Sequence, residues 1–124
     1  MSAHDDLIAL VKTLGRTVHD GDVPASPTYP YLLVSSRQPN YADRALSRDR
    51  HGARRSWIIT PAGQSYTSVR DMVDLVFSLD GARIQGQRVE VRGVGIDIDE
   101  EENLRVNNLP VLFTKIELLL TLPR

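Results

Sequence analysis

The chain has no cysteine in its 124 residues. Disulfides, thiolate zinc sites and a cysteine nucleophile are therefore all excluded. Aromatic residues make up 6%, with a single tryptophan, Trp57. No stretch approaches the ~18 consecutive apolar residues of a membrane-spanning helix. The first residues, Met-Ser-Ala-His-Asp-Asp, are acidic and lack the basic start of a secretory signal. No charge of one sign dominates, since the formal net charge is −1. A near-neutral total argues against a whole surface devoted to nucleic acid. What remains is an ordinary globular composition, 41% apolar and 25% charged, of a length that fits one domain over residues 1–124.

The charge that is present is unevenly placed. Residues 37–55 hold six arginines (Arg37, Arg44, Arg48, Arg50, Arg54 and Arg55) against two aspartates, a local charge of +4. Residues 97–102 hold Asp97, Asp99, Glu100, Glu101 and Glu102, a local charge of −5. The basic stretch reads as a long arm between two strand-like runs, and a connection of that length inside a compact domain is usually functional. The acidic run reads as a loop. Either run can simply be solvated, as charge runs commonly are. Their opposite signs also make them candidate partners, within one chain or between copies of it.

Hydrophobic periodicity supplies the framework. Leu7, Leu10, Val11, Leu14 and Val18 recur at helical spacing, which predicts a helix over 3–16 ended by Gly15. Residues 19–30 read as a Gly- and Pro-rich loop, and 30–36 as a strand with apolar residues on both faces. A second strand is expected near 55–60, closed by Pro61-Ala62-Gly63 as turn chemistry. Val69, Met72, Val73 and Val76 predict a helix over 66–79, with Ser65 or Ser68 as cap and Gly81 beyond its end. Strict alternation begins at Arg88, with apolar residues at odd positions, and changes phase after Gly93 to Val94, Ile96 and Ile98. A bulge or bend at Gly93 or Gly95 is the expected resolution. A last strand is expected over 111–121. The predicted class is α+β: a four-stranded, mainly antiparallel sheet with two helices on one face, in the order α-β-β-α-β-β, and the long arm between strands 1 and 2.

Signatures of catalysis and ligand binding are incomplete. Gly93-Val94-Gly95 begins a dinucleotide fingerprint, but Ile98 stands where the third glycine belongs and no helix follows. Asp97, Asp99 and Glu101 copy calcium-loop spacing, but Glu102 replaces the turn glycine and Asn108 the bidentate glutamate. His19-Asp20-Gly21-Asp22 offers metal-ligand types yet more often forms a polar turn. The histidines (His4, His19, His51) show no helical i, i+4 pairing, and no serine sits in a nucleophile elbow. The aromatic strand motif of single-strand RNA modules is missing, so Trp57 reads as core. No catalytic, metal or cofactor site is assigned, and an enzyme is not expected.

Several stretches in order resemble the tail terminator (tail completion) proteins of long-tailed bacteriophages. They are a short N-terminal helix leading to Val18-His19-Asp20-Gly21-Asp22-Val23-Pro24, then Pro30-Tyr31-Leu32-Leu33-Val34, a helix ending in Leu79-Asp80-Gly81, and a long apolar strand near the C-terminus. The resemblance covers nearly the whole chain. It implies a sheet with two helices, assembled as a six-membered ring that caps the tail tube, stops its polymerisation and offers the head-docking surface. The implied partners are further copies of the chain, the major tail tube protein and a head-completion or neck protein, with DNA passing through the lumen and no membrane contact. The implied location is the virion, at the head–tail junction, after assembly in the host bacterial cytoplasm. No cofactor is implied. A neck or head-completion adaptor is the alternative, and a small nucleic-acid-binding module using the arm is a further one.

Overall fold

The structure is a computed structural model and describes residues 3–24, 27–36, 54–106 and 109–121. Six strands form one curled, mixed sheet in the order β1-β2-β3-β6-β5-β4. They are β1 (Thr17–Asp20), β2 (Tyr31–Ser36), β3 (Arg54–Gly63), β4 (Arg83–Ile84), β5 (Gln87–Val106) and β6 (Leu109–Thr121). Among the described residues two helices, α1 (Ala3–Lys12) and α2 (Tyr66–Phe77), accompany the sheet. β1 runs parallel to β2, and every other pairing is antiparallel.

The expected four-stranded sheet and its α-β-β-α-β-β order are therefore wrong. Among the described residues the order is α-β-β-β-α-β-β-β. The two additional strands have physical reasons for escaping notice. β1 is four residues long and β4 only two. Neither is long enough to display an alternating pattern, and each is held by its neighbour's ladder instead of by its own propensity. The sheet is mainly antiparallel, and its one parallel pair is β1 with β2, joined across the 21–30 connection. Pro61-Ala62-Gly63, expected as a turn, ends β3. The β3–β6 ladder passes over Thr60 and Pro61 and resumes in the same register at Ala62↔Phe113. A proline that lacks an N–H can occupy such a gap.

The core lies between the helices and one face of the sheet. α1 contributes Ala3, Leu7 and Val11, spaced by four. Asp5 and Asp6 in its first turn and Lys12 in its last match the helix dipole. α2 contributes Met72 and Val76 to the same cluster. Ser65 is its N-cap, its side chain accepting a hydrogen bond from the Ser68 N–H at 3.1 Å. The sheet supplies Leu32 and Val34 from β2, Trp57 and Ile59 from β3, Ile116, Leu118 and Leu120 from β6 and Val89 from β5. The registers Val34↔Ile59, Trp57↔Leu118 and Val91↔Leu118 put these residues on one face. β2 is buried on that face alone; Tyr31 and Leu33 on its other face are half-buried.

Candidate functional site

The two charged runs root at opposite ends of the sheet. Arg54 and Arg55 are the first residues of β3, paired with Thr121 and Leu120 of β6. Ser36, the last residue of β2, faces Trp57 beside them. Ser36 and Arg54, the described residues on either side of 37–53, thus both lie at this end. Arg37, Arg44, Arg48 and Arg50 lie outside the described residues. The acidic run belongs to the other end, where Asp99 pairs with Phe113 and Glu100 with Leu112, while Phe113 and Leu112 also pair with Ala62 and Gly63 at the end of β3. The ten residues of β3 separate the two ends, a span of ~30 Å at ~3.3 Å per residue.

The acidic residues are strand, not loop, because β5 runs through them from Gln87 to Val106. Strand formation there is imposed by β6 across an imperfect ladder. Register shifts fall between Val94 and Asp99 and between Glu100 and Arg105. The first comes directly after the phase change at Gly93. Beyond Leu112, β6 has no recorded pairing with β3 among the described residues, and β5 and β6 continue as a ribbon through Arg105↔Pro110 and Val106↔Leu109. Leu109, near its tip, is 48% exposed.

A second constellation comes from residues far apart in sequence. His4 on α1 places its Nε2 at 2.8 Å from Asp20 Oδ1 on β1. Its Nδ1 lies 3.1 Å from Ser36 Oγ on β2 and 3.1 Å from Trp57 Nε1 on β3. A serine, a histidine and an aspartate in a row have the outline of a nucleophilic triad. The chemistry fails at Nδ1. The indole N–H can only donate, so it holds the lone pair that would have to take the Ser36 proton. Sequence patterns could not find this cluster, because positions 4, 20, 36 and 57 meet only through the sheet order. The one available signal was a lone tryptophan assigned to the core, whose N–H needs an acceptor.

His19 and Asp20 do not converge on a metal. As successive strand residues they face opposite ways: Asp20 meets His4, while the His19 ring lies edge-on to Tyr31 with centroids 5.2 Å apart. Among the described residues no group of three or more histidine, aspartate or glutamate side chains could hold a metal ion. An open cleft of about 420 Å³ between the Gly15–Thr17 turn, the Thr28–Pro30 segment and α2 carries Arg16 and Asp71 as its charged groups. No described helix is long and apolar enough to cross a membrane.

No protein-family model matches the chain, and no curated protein matches it.

Proposed function

We propose that this chain is a structural assembly protein of the tail-terminator kind. Six copies close a ring on the end of a phage tail tube, end its polymerisation and present the surface that receives the head. In this reading the copies contact one another, the tube protein and a head-completion protein at the head–tail junction of the virion. DNA passes through the lumen. The protein is not an enzyme and uses no cofactor.

The observation that carries this reading is the placement of charge. The described residues that bound the basic segment lie at one end of the sheet and an acidic strand occupies the other, about 30 Å away along β3. A contact that joins unlike ends of identical subunits is heterologous, and heterologous contacts close into rings when the rotation allows. The motif order that resembles tail terminators is independent support, because it rests on stretches outside the two charged runs 37–55 and 97–102.

The test is to replace Arg48, Arg50, Arg54 and Arg55 together by alanine. An exposed ion pair contributes only about 0–1 kcal/mol, so a single change should do little. The quadruple variant should fold normally while ring formation, or tube capping, weakens and does so in a salt-dependent way. Electron microscopy of the wild-type protein, alone and on tubes, reads the symmetry. Unchanged assembly of the variant at low and moderate salt removes the charged contact. A symmetry other than six-fold on the tail removes the terminator reading, and a ring that binds heads but never tube ends points to the neck adaptor.

A further inference from the structure

His4 joins one helix to three strands through a single ring, and the donor at Nδ1 fixes the tautomer of the neutral ring. Trp57 can only donate, so the Nδ1 that receives its N–H carries the lone pair. The proton of the neutral ring is then on Nε2, which faces Asp20 at 2.8 Å. The Ser36 hydroxyl, also 3.1 Å from Nδ1, rotates freely between donating and accepting. Trp57 is only 3% exposed, so water has little access to replace a lost acceptor.

A second proton on the ring reverses this arrangement. Both nitrogens of the cation are donors. The new Nδ1–H would face the Trp57 N–H at the 3.1 Å now bridged by a hydrogen bond. Ser36 can respond by turning its oxygen toward Nδ1. The Asp20 contact becomes a full ion pair, of the stronger charge-assisted kind.

We propose that His4 is a proton-operated latch on α1. Neutral, it ties the first turn of the helix to β3 through Trp57; protonated, it releases Trp57 and holds β1 and β2 through Asp20 and Ser36. Among the described residues the groups around it on each packed element are these. β1 presents Asp20, since His19 points to the opposite face onto Tyr31. β2 presents Ser36 and β3 presents Trp57, neither of them titratable in this range; Arg55 stands two residues before Trp57 on β3. On α1 itself Asp5 and Asp6 share the turn. On β4, Arg83 is engaged with the Gly86 carbonyl at 2.9 Å.

The sole tryptophan makes the latch directly observable. In the isolated full-length protein, Trp57 fluorescence and the indole N–H resonance should follow a one-proton transition across the pH range in which histidines change charge. His4→Gln should abolish the transition, and His19→Gln should leave it. Asp20→Asn and Ser36→Ala should each alter it, because each removes a group that a ring nitrogen faces. An indole signal that is flat through this range overturns the proposal, as does a transition that survives in His4→Gln. Should His4→Gln fail to fold, Asp20→Asn decides alone: the Asp20 side chain is 55% exposed, and a transition it does not move overturns the latch. None of these readouts depends on ring assembly.

Discussion

β6 has two neighbours, and it holds them differently. Against β3 it keeps one register from Arg54↔Thr121 to Gly63↔Leu112. Against β5 it keeps register from Val89↔Leu120 to Val94↔Lys115, then loses it twice before Val106↔Leu109. The difference lies in what each ladder buries. Trp57, Ile59, Ile116 and Leu118 are all at most 3% exposed, and they fall on one face of β3–β6. A slip by one residue would turn every one of them out, so the register is fixed. Past Gly93, β5 reads Val-Gly-Ile-Asp-Ile-Asp-Glu-Glu-Glu. The five carboxylates of that run end its apolar alternation, a strand without one holds its register weakly, and extra residues are taken up as irregularities in the ladder.

The largest effect should follow from breaking the regular side. Leu118 is fully buried and pairs with both Trp57 and Val91. Leu118→Ala should destabilise the protein by about 2–5 kcal/mol, through lost transfer energy and the cavity left behind. Denaturant unfolding measures this directly. A loss under about 1 kcal/mol would mean that the centre of the sheet is less tightly packed than its burial implies.

That contrast also separates what could be read in the sequence from what could not. Where burial enforces a period, the pattern was visible. Val69, Met72 and Val76 marked α2, and Leu7 and Val11 marked α1. The phase change at Gly93 announced the irregularity that follows it. Where pairing is imposed by a neighbour, the pattern was silent. β1 and β4 carry too few residues to show a period, Pro61 looks like a turn until a ladder gap receives it, and the acidic run looks like a loop until β6 pairs with it. The His4 cluster lies beyond any local pattern. It depends on β1 lying beside β2 in parallel, which carries Asp20 level with Val34 and so close to Ser36 and His4.

A smaller effect is expected at the end of β3, where the regular ladder meets α2. A Cβ added to Gly63 would stand 3.3 Å from both Ser68 Oγ and Val69 Cγ2. Val69 is fully buried and has little room to retreat, whereas the Ser68 hydroxyl can rotate. Gly63→Ala should therefore cost about 1–2 kcal/mol by overpacking. Thermal unfolding checks it, and a neutral result would show that α2 can lift from the sheet at its first turn.

The smallest effect on stability belongs to the irregular side. Leu109 starts β6 at the ribbon end, is 48% exposed and pairs with Val106. Leu109→Ser should change unfolding free energy by no more than about 0.5 kcal/mol, as for surface sites without a special role. Its effect on assembly should be larger than its effect on folding. An exposed leucine beside an acidic strand gives the ribbon an apolar contact of the kind that excludes water at the centre of an interface, with charge around it. The measurement is a pair: thermal midpoint and ring or tube-capping yield on the same preparation. An unchanged midpoint with reduced yield makes the ribbon a contact surface and sharpens the contrast between the two sides of β6. If both are unchanged, the ribbon faces solvent, and the acidic run loses its claim as the partner of the basic arm. If the midpoint falls by several degrees, the ribbon is part of the folded core after all, and the distinction between the two ladders is one of geometry and not of energy.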